Sequence, residues 1–132
     1  MGGLTDLNEL LRSLDPVLHK GRYVFLNIPA SMGIDTSPAI AIFREKEGTT
    51  YVLPEEKAAK LPGEKSGSMA WITLNVHSSL EAVGLTAAVA KALAKENISC
   101  NVIAAYYHDH IFVPESDAEK SLLLLQNLTQ NI

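Results

Sequence analysis

Apolar residues at the start of the chain recur at helical spacing: Leu4, Leu7, Leu10, Leu11 and Leu14 share one stripe. Thr5 or Asp6 can cap that helix, and Pro16 marks its end. RYVFLNIP (22–29) is rich in aromatic and β-branched residues and stops at a proline, as a strand does. ASMGIDTSP (30–38) is a loop by composition. AIAIFREKEGTTYVL (39–53) predicts two strands joined at Lys46–Gly48, where Gly48 is free to take positive φ. PEEKAAKL (54–61) is a short helix opened by proline and acidic residues, and PGEKSGS (62–68) is expected to be a linker.

The pattern then repeats in a fuller form. MAWITLNV is a strand, HSSLEAVG a loop, and GLTAAVAKALAKEN a helix whose apolar face is Leu85, Ala88, Val89, Ala92 and Leu93. SCNVIAAYY and HIFV are strands, and PESDAEKSLLLLQNLTQ is the last helix. Its run Leu122 to Leu125 wraps more than one face, so both sides need cover.

YVFLNIPAS (23–31) aligns with WITLNVHSS (71–79), and YVLPEEKAAKL (51–61) with IFVPESDAEKS (111–121). Between the two matches the offset grows from 48 to 60 residues, which coincides with an extra helix at 84–96. The second half therefore runs β-α-β-β-α, and the first β-β-β-α with its crossover helix lost. That is a split βαβ pattern. The expected class is α+β: two ferredoxin-like halves, 1–67 (degenerate) and 68–132, with antiparallel sheets and helices on one face. The helix at 4–14 is a candidate to cover the sheet face that the lost helix leaves bare, since apolar surface left in water costs about 25 cal/mol per Å². A strand of the first half is expected to fill the open place beside WITLNV, because an unpaired edge is a liability. Two chains are expected to associate through surface that includes the leucine-rich last helix.

Charge narrows the function. A net charge of −4 and a pI near 5.5 supply no footprint for nucleic acid or an anionic membrane surface. No apolar stretch approaches the roughly 20 residues of a membrane span. The single cysteine, Cys100, lies in an apolar run and reads as a small hydrophobe. With no signal-peptide pattern, the chain is expected in a reducing cytoplasm.

The candidate chemistry is sparse. No nucleophile elbow, zinc-protease motif, phosphate loop or cysteine pair occurs, so no enzyme and no cofactor are expected. His108-Asp109-His110 offers few ligands for a zinc site and reads as a hairpin tip or interface contact, with Asp109 as a turn residue; a ligand contact reached from a neighbouring subunit and a metal are the alternatives. If the first and third strands of this half run parallel, that tip sits at the opposite end of the sheet from the loop HSSLEAVG. The loop itself joins a strand to a helix, where free backbone N–H groups receive anions. Ser78 and Ser79 add hydroxyls, Glu81 could hold a positive group, and Gly84 permits close backbone approach. The same serines and glutamate could instead form a capping box, and the local residues leave both readings open.

VHSSLEAVGLTAAVAKALA and YYHDHIFVP, with YVF near the start and EGTTYVL in the middle, resemble the ACT-domain family, most closely small bacterial proteins built from two ACT-like halves. A related pair of halves occurs in eukaryotic arginine sensors. The resemblance implies a regulatory protein that binds a small molecule, an amino acid, at an interface, and that forms homodimers. It also implies a ligand site over His77, Ser78, Ser79, Leu80, Glu81, Val83 and Gly84. The other reading is a dimerisation or protein-interaction module with no ligand of its own.

Overall fold

The computed structural model describes residues 6–29, 31–77 and 79–130. Along the chain the elements are α1 (Leu7–Arg12), β1 (Pro16–Leu18), β2 (Tyr23–Ile28), β3 (Ala41–Glu45), β4 (Gly48–Pro54), α2 (Glu55–Ala58), β5 (Glu64–Lys65), β6 (Met69–Leu74), α3 (Leu85–Ala94), β7 (Asn101–Ala104), β8 (Asp109–Pro114) and α4 (Ala118–Gln130), the last preceded by a 3-10 turn. They form two compact units: 21–69, and 6–20 together with 70–130.

In the unit 21–69, β2 alternates buried and half-buried residues, as a strand with one covered face must. It pairs antiparallel with β4, from Tyr23 opposite Pro54 to Ile28 opposite Thr49, and β3 closes a hairpin with β4. Gly48 takes the expected left-handed φ of 149°. A Cβ there would meet the Ile28 carbonyl oxygen at 2.6 Å, so close packing as well as the turn requires glycine. Val24, Leu26, Ile28, Tyr51, Leu53 and Ala58 make the core. Ile34 and Ala39 from the loop and Leu61 complete it, so these residues and α2 cover the face that the missing helix would have covered.

The expected linker is part of this sheet. β5 lies antiparallel to β2, Leu26 opposite Lys65, and the Phe25 N–H donates to Ser66 Oγ (2.9 Å) while the Ser66 N–H donates to the Phe25 carbonyl (2.9 Å). Ser68 Oγ donates to the Glu55 carboxylate. Gly63, at φ 112°, passes so near β2 that a Cβ would sit 2.3 Å from the Asn27 carbonyl oxygen. Small residues here allow close backbone contact rather than freedom of movement.

In the other unit, β8 lies between β6 and β7. Trp71 packs near Phe112, Thr73 bonds His110, and the Val76 carbonyl meets His108. Residue numbers rise on β6 as they fall on β8, so the two strands run antiparallel. β7 and β8 are antiparallel as well, with Ala104 opposite Asp109. The parallel arrangement expected for the first and third strands is thus wrong. A crossover helix makes the first and second strands parallel, and the third inserts between them in the opposite sense.

Ala70, Ile72 and Leu74 of β6 and Ile111 and Val113 of β8 face one helical layer. That layer supplies Leu10 and Leu11 from α1 and Leu14 just beyond it, Leu85, Val89 and Leu93 from α3, and Leu125 from α4. The N-terminal helix therefore completes the core of the second half; it does not cover the first. Asp6 caps it, accepting the Glu9 N–H at 3.0 Å; Leu4 and Thr5 lie outside the described residues. β1, unmarked by any periodicity, fills the open place beside β6, with Pro16 opposite Leu74 and Leu18 opposite Ile72. Of the five leucines in α4, Leu125 is fully buried, Leu122, Leu124 and Leu128 are half-buried and only Leu123 is exposed.

Candidate ligand-binding site

The segment after β6 does not cap α3. The Ser79 Oγ accepts the Glu81 N–H (3.1 Å), and the Ala82 N–H donates to the Ser79 carbonyl (2.9 Å), which closes a tight turn before the helix begins. The helix N-cap is Gly84, at φ 98°, with no side-chain cap bond. The capping-box reading therefore fails: Ser79 and Glu81 sit too far upstream, and the first N–H groups of α3 keep no side-chain partner.

Leu85 and Thr86, at the start of α3, belong to a cavity of about 180 Å³ whose lining also includes Ser79, Leu80, Ala82, Ala104 and Asp109. Asp109 is the unexpected member. The hairpin turn is 105–108, where the Ala105 N–H donates to the His108 carbonyl (3.0 Å). Asp109 already belongs to β8 and alternates with Ile111 and Val113 on the helix-facing side. Only 7% of its surface is exposed, and among the described residues no donor bonds its carboxylate. Burial pushes its pKa up, while the nearby His108 pulls the other way. The expectation that the HDH stretch lies remote from the loop is overturned, because the antiparallel run of β8 brings its first residue to the end of the sheet where β6 leaves it.

The other candidates are placed as follows. His77 is half-buried beside Tyr107 and Tyr106, with ring centroids 5.2 and 6.5 Å away. Ser78 lies outside the described residues. Leu80 lines the cavity with 66% of its surface exposed. Glu81 is exposed and Val83 is 83% exposed, and neither lines the cavity. Gly84 packs near Leu7, whose side chain would lie 3.4 Å from an added Cβ. Asp109 could have been found by one signal, an acid at an inward position of a period-2 strand. Among the described residues no three of His, Cys, Asp or Glu converge as a metal-binding group. Cys100 is partly buried, and burial raises its thiol pKa to about 11, which makes it inert. No described helix is long and apolar enough to cross a membrane.

The family description ACT domain matches the chain twice in tandem, over residues 2–66 and 67–127. The chain belongs to the ACT-domain family. ACT domains are typically small-molecule regulatory modules, and here two of them occupy nearly the whole sequence. A Vibrio cholerae protein of unknown function, described as a possible transport protein, is 48% identical, covering 94% of this chain and 96% of that one with a TM-score of 0.81. An Agrobacterium tumefaciens protein is 21% identical over 86% and 87% of the two chains, at a TM-score of 0.69. The regulatory subunit of aspartate kinase from Thermus flavus, 11% identical over 86% and 95%, has a TM-score of 0.57 and shares the ferredoxin-like ACT fold. None of the curated proteins matches.

Proposed function

We propose that this ACT protein is a cytoplasmic regulatory module that senses an amino acid in the cavity at the loop 77–84, and that it works as a homodimer. The observation that carries the reading is Asp109, an acid with only 7% of its surface exposed, which lines the cavity and is bonded to no donor among the described residues. A buried charge without a partner is costly, so a cation is the natural occupant. In the same lining, Thr86 and Ser79 with the N-terminus of α3 offer donors for an anion. A zwitterion satisfies both ends at once. The cavity of about 180 Å³ has room for a small ligand. Glu81, exposed and off the lining, leaves the role of ammonium partner to Asp109.

A thermal-shift screen against the proteinogenic amino acids tests this reading. A ligand at a hundred times its Kd adds about 2.7 kcal/mol, a shift of several degrees. Asp109→Asn should weaken the best hit by 1.5–3 kcal/mol, roughly 10- to 150-fold, while Glu81→Gln leaves it unchanged. No shift with any amino acid, or equal affinity after Asp109→Asn, would remove the site.

A ligand-free interaction module is favoured by a different observation. Strand β3 leaves Phe43 72% and Ile42 49% exposed, apolar surface with no occupant of its own. Sedimentation of wild type and Phe43→Ser at tens of micromolar tests it. A strict monomer for both would exclude association through β3.

A further inference from the structure

On the face of β6 away from the helices, four side chains share one hydrogen-bonded chain. The Trp71 indole N–H donates to His110 Nδ1 at 3.1 Å. Thr73 Oγ1 lies 2.9 Å from the same nitrogen and 2.7 Å from His19 Nε2. His19, the residue after β1, also stacks on Trp71 with centroids 3.6 Å apart and planes 13° from parallel, and its backbone N–H donates to the Trp71 carbonyl (2.9 Å).

One fixed donor sets the tautomer of His110. An indole N–H can only donate, so His110 Nδ1 must be an acceptor and the ring must be neutral with its hydrogen on Nε2. The Thr73 hydroxyl hydrogen then either shares the His110 Nδ1 lone pair with the indole N–H or goes to His19 Nε2, according to the His19 tautomer. A proton arriving at His110 can only add to Nδ1, where it would face the indole N–H and the threonine hydroxyl. His19 differs: its charged form donates to Thr73 and keeps its stack on the indole, where a cation is tolerated.

We infer that Trp71, Thr73, His110 and His19 form a proton-operated latch, which holds the segment Pro16–His19 on β6 while His110 is neutral and loosens it when His110 gains a proton. The segment is suited to this role because β1 pairs over three residues only, with Leu18 half-buried and Val17 exposed. α1, anchored by Leu10, Leu11 and Leu14, stays in place.

The charged surroundings agree. Burial lowers the pKa of His110 below its usual 6.5, and His108 in the hairpin turn and His19 beyond β1 lower it further; burial lowers His19 as well. The Asp109 carboxylate lies across β8 on the helix-facing side, and β6 and β7 carry only uncharged residues. For a base with a lowered native pKa, the contribution to docking is complete above pH 6.5. It is lost as pH falls below that value toward the native pKa. The latch needs no ligand and stands apart from the cavity reading.

Trp71 is the single tryptophan of the chain, so its fluorescence reports on the latch directly. Protection of the His19 amide, corrected for intrinsic exchange, should fall at least tenfold between pH 7.5 and 5. Fluorescence should change in step, with a midpoint below 6.5. His110→Gln keeps an acceptor for the indole and has no proton to gain, so both changes should vanish while protection at pH 7.5 persists. Trp71→Phe removes the fixed donor and should raise the midpoint of the His110 ring titration read by NMR. Flat protection in the wild type, or the same pH response in His110→Gln, or an unmoved ring midpoint in Trp71→Phe, would each overturn the latch.

Discussion

Replacing Asp109 by asparagine should stabilise the ligand-free protein and weaken ligand binding, two effects of opposite sign from one atom. A buried polar group without a partner costs about 1–3 kcal/mol, and a charged one more. The carboxylate tip faces a cavity that water can enter, and His108 lies near, so the low end applies. A neutral amide of the same shape keeps the fit and removes the charge, for an expected gain of about 1 kcal/mol. The gain should depend on pH in a definite direction. Burial raises the Asp109 pKa above its usual 3.8, so between 3.8 and the raised native value the folded protein holds the extra proton. Wild-type stability should therefore fall as pH rises through that window, while the variant lacks this component. Urea denaturation followed by circular dichroism at pH 7 and at pH 4 measures both quantities, with the gap between the proteins wider at pH 7. A loss of 1 kcal/mol or more in the variant at pH 7 would show that the carboxylate anchors the fold, and the argument for a vacant cation partner would collapse.

Three further changes probe the frame around the site. Gly63→Ala forces a left-handed φ on a residue with a Cβ and drives it into the Asn27 carbonyl, so β5 should leave β2 at a cost of about 2–4 kcal/mol in denaturant titrations, whereas a true linker would tolerate the change within 0.5 kcal/mol. Ser121→Ala removes a fully buried hydroxyl that has no hydrogen-bond partner among the described residues and should raise stability by about 1 kcal/mol, read as a Tm increase of a few degrees; a decrease would mean the hydroxyl is satisfied. Leu125→Ala empties a position with no exposed surface and should cost about 2–5 kcal/mol, while Leu123→Ala on the exposed side of the same helix stays within 0.5 kcal/mol.

What could be read in advance followed the scale of each interaction. Helices and strands with a clear apolar period, such as 85–93 and 23–28, were legible because a covered face imposes its spacing on neighbouring residues. The stripe of α1 declared that it needed a partner without naming one, since Leu10, Leu11 and Leu14 fit any apolar face. The glycines and serines of 62–68 suggested slack, yet at Gly63 the missing side chain serves a backbone contact made by a distant strand. β1 is too short to carry a period. At the site, the loop was legible as a strand-to-helix junction, but its contents were not. Asp109 is 25 residues further along the chain than Gly84, and only the direction of β8 decides that it meets the loop. Glu81 looked like the obvious acid because it was near in sequence.

The assignment of residues 6–20 to the unit built from 70–130 bears on how the chain is made. Leu14 leaves the ribosome over a hundred residues before Leu125, its companion in the same core. At about 5–20 residues per second, α1 waits on the order of ten seconds with its leucines bare while the whole of 21–69 is completed. The intervening unit can fold in that interval, because its own core draws on no residue before Val24. Residues 6–20 thus emerge before the whole of 21–69 yet are secured after it, and a fragment cut at residue 68 to isolate the second half would lack α1 and β1 altogether.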